Sequence, residues 1–466
     1  MQDPSKNANT GKLVVEEGAR LNGDVYLFVT AGSTEWPVEV SIAASAVNGE
    51  VISGNVPEKY SVENISGTWN VIEAIAGGVV KIGDIYKVSS ADGLVYILNN
   101  NNGLGIELSN DIVLTENWAP VGNAENPFSG IIDGKNHKIS GLKVEGVDYA
   151  AFISHTAPGV HVKNLTLENV SLNSTKHAAG VVCVAGEGLT VENVTVSGEI
   201  TATSYAGGIV HNAANVTIKG CTNNANITAQ RAGGIASWVT SGAKIENVEN
   251  HGNVTALVGG SGIAHGFAGS IKNAVNYGNI SSANFESAAG IAGVQKAAST
   301  YEYCYNYGQI TSTYDDPNAS AAGILGQSAG SASTLKYCAN YGNVNAENSY
   351  AAGIAYSLYG TINASYCYNA GNIVGADGAG AIAPKAQYGT GDKASYCLNA
   401  GEIVSSNGTT YQGSNNNTSC YYYKGSDLLN VTGNTSVTLA DALVLLNGGN
   451  DNNFFTTENG KIVVKK

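Results

Sequence analysis

A small-small-Gly-apolar step recurs eight times along this chain, and that periodicity constrains the fold more than any other feature. The steps are AAGVV at Ala178, AGGIV at Ala206, AGGIA at Ala232, GSGIA at Gly260, AAGIA at Ala288, AAGIL at Ala321, AAGIA at Ala351 and GAGAI at Gly378. Their third residues, Gly180, Gly208, Gly234, Gly262, Gly290, Gly323, Gly353 and Gly380, lie 28, 26, 28, 28, 33, 30 and 27 residues apart. A second motif, C-x-N-x-G-N-I or a close variant, keeps register with them and starts at Cys221, Val248, Ala274, Cys304, Cys338, Cys367 and Cys397. One supersecondary unit therefore repeats. Its length, short β-like runs and Gly or Asn turns fit one coil of a parallel β-helix. A leucine-rich repeat would need an L-x-x-L-x-L frame, and a helical repeat apolar spacing of about 3.6 residues; neither is present.

Composition points the same way. Abundant Val, Ile, Thr and Asn, with 25 Tyr and only 8 Pro in 466 residues, suit pleated strands joined by tight turns. A formal charge of −14, with arginine only at Arg20 and Arg231, leaves no basic face for a run of phosphates, so no nucleic-acid partner is expected. No run of about 18 apolar residues occurs, so no membrane-spanning helix is expected. The chain opens on MQDPSKNANTGKLVV, without a basic and apolar leader. We expect that a leader has been removed and that the protein is extracellular or at the cell surface, compatible with a lipid anchor on a Cys just upstream of Gln2.

Stacked coils set equivalent residues about 4.8 Å apart in columns. Two residues past the Cys position stand Asn223, Asn250, Asn276, Asn306, Asn340, Asn369 and Asn399. Amides at that spacing can bond to those above and below, so the column is expected to be a structural ladder. Two residues further on, Gly252, Gly278, Gly308, Gly342, Gly371 and Gly401 are expected to supply positive φ at a corner. Cys304, Cys338, Cys367 and Cys397 share one column and are expected to point inward as small hydrophobes, because about 4.8 Å exceeds the Cβ separation of about 3.8 Å that suits a disulfide. If they face in, their neighbours face out. Tyr303, Tyr337, Tyr366 and Tyr396, with Tyr305 and Tyr368 beside them, then form an outward strip, the candidate face for a glycan or protein partner.

His155, Cys183, His211 and His265 fall three residues past the third position of the Gly step or its equivalent. A zinc site is the sharper reading of that column and a permissive turn the blander one; no metal and no cofactor are expected. The main functional alternative is a carbohydrate-active β-helix enzyme, a polysaccharide lyase or hydrolase. Such sites need clustered carboxylates, whereas the acids between Gly180 and Ala400 fall in no column, and Asp315 and Asp316 are adjacent, so they would face opposite ways on a strand. The chain is therefore expected not to be an enzyme.

The lead-in carries further motifs: YKVSSADGLVYILN from Tyr86, NDIVLTENWAPVG from Asn110 and FSGIIDGKNHKISGLKV from Phe128. Together with the repeats they resemble the GLUG-repeat β-helix proteins of bacterial surfaces, over roughly Tyr86 to Ile403. The resemblance implies architecture and says little of activity. Some members of that family carry such a region ahead of a zinc metallopeptidase domain that cleaves immunoglobulin; no H-E-x-x-H occurs here, so that activity is not carried over. The chain also departs from the family pattern. The Gly after the two apolar residues is present at Gly293 and Gly326 but is His211, Ser237, His265, Tyr356 or Ala383 elsewhere.

The expected fold is all-β: a flexible tether at 1–11, a small antiparallel β-domain at 12–83, a right-handed parallel β-helix of nine or ten coils at 84–410 and a C-terminal cap at 411–466, where VTLADALVLLN has helical spacing. The expected function is that of a non-catalytic surface adhesin or interaction protein, monomeric, presenting a β-helix face to a glycan or to a host or bacterial surface protein.

Overall fold

The computed structural model describes residues 11–16, 21–22, 25–27, 38–48, 51–53, 59–65, 67–100, 103, 105–315, 320–328, 332–358, 360–383, 391–406, 409–414, 416–448 and 454–465. They are nearly all β, with α-helices at Ala91–Asn100 and Leu439–Leu446. Two compact units divide the chain: Met1–Val113 with Ser129–Lys138, and Leu114–Phe128 with Ile139–Lys466.

In the first unit the pairing is mixed. Thr68–Ala76 runs antiparallel to Val38–Ala43, Tyr60–Ile65 and Val79–Ile82, whereas Gly11–Val15 is parallel to Val38–Ala43. Residues 12–83 thus combine both senses where an antiparallel domain was expected. Leu27, Val40, Ile42 and Val71 form their core. Ile85–Val88 then pairs in parallel with Gly105–Leu108 across the helix Ala91–Asn100. Ser90 starts that helix, its hydroxyl accepting from the Gly93 N–H at 3.0 Å. Leu94, Ile97 and Leu98, spaced three and four apart, are the large apolar residues it buries.

In the second unit the coils stack in register. Asn223 pairs with Asn250, and the same parallel pairing continues through Asn276, Asn306, Asn340 and Asn369 to Asn399. The Gly step repeats it: Ala206, Ala232, Gly260, Ala288, Ala321, Ala351 and Ala379 are successive partners. The fold is a parallel β-solenoid of about 12 turns, more than the nine or ten expected. Coils with only weak copies of the motif, such as His161–Ala179 on Thr190–Ala202, stack in the same manner. Alternation drives the assembly. Ile200, Ile227, Val254, Ile280, Ile310, Val344 and Ile373 form one fully inward column, each side chain contributing about 1.5–3 kcal/mol by leaving water.

The corner glycines need a correction. Gly252, Gly278, Gly308, Gly342, Gly371 and Gly401 do not have positive φ. They are required because coils touch there: a Cβ on Gly278 would lie 1.9 Å from the Gly252 carbonyl oxygen. Left-handed backbone occurs instead at the residue before the Cys position. Asn164, Asn193, Gly220, Asn247, Asn273, Tyr303, Tyr337, Tyr366, Tyr396 and Ser419 all have φ between 49° and 63°. Asn adopts this conformation readily and a bulky Tyr seldom does.

At the C-terminal end, Thr438 caps the helix Leu439–Leu446 by accepting from the Asp441 N–H at 3.1 Å. An antiparallel hairpin, Phe455–Glu458 with Lys461–Val464, follows. Both join the cluster that contains Tyr337 and Tyr368.

Candidate functional site

Inside the solenoid, every Asn of the ladder is fully buried. Each donates to the Oδ1 of the next at 2.7–2.8 Å and to the carbonyl two residues on at 2.8–2.9 Å. Asn399, the last, donates to Gln412 Oε1 at 2.9 Å. All seven Cys are buried and free. Cys304, Cys338, Cys367 and Cys397 each donate to two carbonyls, one from the adjacent coil.

The expected tyrosine strip exists but is not an open face. Tyr303, Tyr337, Tyr366 and Tyr396 stack with centroids 4.8, 5.1 and 5.0 Å apart. Tyr337 and Tyr368 are buried, and Phe454, Phe455 and Val464 of the C-terminal segment complete the same cluster; Tyr303, Tyr305 and Tyr366 pack against it half-buried. Tyr337 meets Phe454 at 5.3 Å, and the Tyr366 hydroxyl donates to the Gly448 carbonyl at 3.4 Å. The strip as a partner face is therefore corrected. The chain covers its own apolar stripe, as the cost of leaving such area in water requires.

A second ring column, missed in the sequence, stands open at Tyr277 and Tyr307, while its last ring, Tyr341, packs half-buried against the cluster that the C-terminal segment completes. His251, Tyr277, Tyr307 and Tyr341 occupy the position between Asn and Gly in the N-x-G motif. Their rings stack at 4.6, 5.3 and 4.7 Å with interplanar angles of 17°, 10° and 3°. Tyr277 is 45% exposed and Tyr307 47%. Burial and the neighbouring Tyr277 push the Tyr307 phenol up, so it is a neutral donor. The signal for it is N-Y-G at three successive repeats, starting at Asn276, Asn306 and Asn340.

Beside these rings runs an outward amide row. Asn253, Asn279, Gln309 and Asn343 each lie two residues past a ring, with the buried corner Gly between. Asn279 Oδ1 accepts from the Gln309 N–H at 2.9 Å, and Asn343 Oδ1 from the Asn372 N–H at 3.0 Å. The side-chain oxygens of Asn253, Asn279 and Asn343 are thus tied to the next coil. Close by, His251 Nε2 lies 2.8 Å from Glu249 Oε2.

The histidine column divides. His155 is opposite Val184, not Cys183, which corrects the proposed alignment. Among the described residues no group of three or more His, Cys, Asp or Glu is arranged to hold a metal. His211 is buried and its ring stacks on His177 at 4.6 Å; burial holds it down to about 3, so it is neutral. His265, fully buried, is also pushed down by burial. Its Nε2 lies 2.9 Å from Glu286 Oε2, which accepts from Arg231 Nε at 2.9 Å as well. Burial would push the Glu286 carboxyl up, but the bonds from His265 and Arg231 hold it at about 2. Asp315 is exposed, and Asp316 lies outside the described residues.

No protein-family model and no curated protein matches the chain. A protein from Bacteroides ovatus, provisionally named immunoglobulin A1 protease and known from a crystal structure, is 14% identical over 82% of this chain and 92% of its own, with a TM-score of 0.29. A second structure, named IgA1 Protease, is 15% identical over 73% of this chain, with a TM-score of 0.40; the match spans 25% of its length. The expectation that the chain is not an enzyme is overturned by these names, which suggest one. At such identities the likeness is one of fold. The activity in their names is theirs.

Proposed function

We propose that the solenoid holds a glycan chain along the ring column His251, Tyr277, Tyr307 and Tyr341 and the amide row Asn253, Asn279, Gln309 and Asn343. The observation that carries this reading is the exposure of Tyr277 and Tyr307 within a stacked column. Because each ring covers its neighbour's face, a ligand meets ring edges, phenol hydroxyls and carboxamides repeating coil by coil. A polymer of neutral sugars offers hydroxyl groups at a comparable repeat, and aromatic and amide groups bond to them without a charge to desolvate. The low charge of this corner favours a neutral glycan over an anionic one.

Placement at a cell surface and membership of the GLUG-repeat group belong to the same proposal; protease shaving of intact cells tests the first. Among the described residues no helix is long and apolar enough to cross a membrane. A glycan array with the purified protein, followed by an assay for released product, tests binding and turnover together. Tyr277→Ala with Tyr307→Ala should abolish capture of whichever neutral glycan the array reveals while the far-ultraviolet circular dichroism stays unchanged. Undiminished capture by that variant would reject the site.

A further inference from the structure

At a different corner, beside the Gly step, the chain gathers two aromatic rings and two cations. The Arg231 guanidinium lies 5.5 Å from the Tyr205 ring centroid, and Lys296 Nζ lies 4.5 Å from that of Trp238. The two rings meet edge to face at 5.8 Å. Register explains the gathering. Tyr205 pairs with Arg231 on the next coil; Trp238 pairs with Gly266, and Gly266 with Val294, two residues before Lys296. Gly266 leaves the indole its place, since a Cβ there would lie 2.4 Å from Trp238 Cε3. Tyr205, Trp238 and Arg231 are half-buried, and Lys296 is exposed on its flexible stem.

This corner already accommodates one carboxylate, that of Glu286 between Arg231 and His265. With His265 neutral, two positive charges face one negative, in a chain whose net charge is −14. Further polar capacity is unspent: among the described residues, buried His177 Nδ1 and His211 Nδ1, whose rings flank Tyr205, have no hydrogen-bond partner.

We propose that this corner binds a carboxylate-bearing sugar, its ring beside Tyr205 and Trp238 and its carboxylate taken by Lys296 with Arg231. The rings select the sugar, since a pyranose presents an apolar C–H face to an aromatic plane. The cations select the acid, and a partly desolvated pair strengthens a charge-assisted bond. This site is separate from the open ring column, and its test does not depend on that reading.

The probe is glucuronate. Glucose, which lacks the carboxylate, and glutamate, which lacks the sugar ring, are its companions. With 5-fluorotryptophan incorporated, the Trp238 resonance, identified by its loss in Trp238→Phe, should shift on titration with glucuronate and stay still with the other two. Lys296→Gln, at an exposed position, should weaken the response about tenfold, the order expected for one charge-assisted hydrogen bond. Lys296→Arg, which keeps the charge, should restore it. An equal shift with glucose or with glutamate, no shift with glucuronate, or an unaltered response in Lys296→Gln would each overturn the proposal.

Discussion

Asn306 Nδ2 donates both to Asn340 Oδ1 at 2.8 Å and to the Gly308 carbonyl at 2.9 Å, so one amide closes its own corner and fastens the next coil. It also accepts from Asn276 at 2.8 Å. Asn306→Ala removes all three bonds from a fully buried site and should cost on the order of 1 to 3 kcal/mol. Asn279→Ala, which strips one acceptor from an exposed carboxamide, should cost less than about 1 kcal/mol. Urea unfolding of both variants checks the ranking, and equal midpoints would contradict it.

Gly278→Ala tests coil contact. The added methyl would meet the Gly252 carbonyl oxygen at 1.9 Å, backbone against backbone, and neither side can yield without separating two coils. Destabilisation of about 3 kcal/mol or more is expected. Gly425→Ala supplies the contrast: its φ of +64° strains an alanine, but nothing lies within 4 Å. About 1 kcal/mol is expected there. Calorimetric melting of the two variants should differ clearly.

Acid should destabilise the fold in a stated window. Folded His211 is held by burial at about 3, against 6.5 for a free imidazole. Between those values the unfolded chain binds the additional proton, so stability falls as pH drops below about 6.5, by about 1.4 kcal/mol per pH unit for this group. Glu286 reinforces the trend below 4.5, because its folded carboxyl, pushed up by burial but held lower by His265 and Arg231, titrates at about 2. Melting temperatures measured from pH 7 to pH 4 should decline, and His211→Gln should flatten the decline. A flat profile in the parent protein would exclude this account.

The thiols should be silent. Burial pushes Cys221 up to about 12 and Cys183 up as well, and all seven are buried. A thiol-reactive dye at neutral pH should label none of them in the native protein and all of them in denaturant. Rapid native labelling of even one would show that its coil opens.

Periodicity made the solenoid legible, because a residue that must stack on its own copy leaves the same letter in every repeat. The Asn column and the inward Cys column were readable for that reason. The corner glycines were placed correctly and explained wrongly: composition alone cannot separate a glycine needed for φ from one needed for contact, and only the carbonyl of the adjacent coil decides. Tyr303, Tyr337, Tyr366 and Tyr396 form a column that the repeat announces, yet the cover over Tyr337 and Tyr368 comes from Phe454 and Phe455, contacts that reach across roughly a hundred residues and have no repeat to announce them. The open rings Tyr277 and Tyr307 differ from the covered ones by a few positions in the motif. Only the course of the C-terminal segment tells them apart.

The Asn ladder also has an electrical direction. From Asn223 to Asn369 each N–H end points to the coil nearer the C-terminus, so the side-chain dipoles add head to tail along the axis, each polarising the next. Gln412 Oε1 meets the positive end at Asn399 with an acceptor, as an anion meets the start of a helix. A coil spliced into the middle without its Asn would break one long dipole into two short ones and leave an unmatched donor and an unmatched acceptor facing each other across the gap. Between Asn223 and Asn399, insertion of a whole repeat is therefore tolerable only if the new unit carries the amide, whereas the coils before Asn223 stack with Val196 and Leu167 at that position.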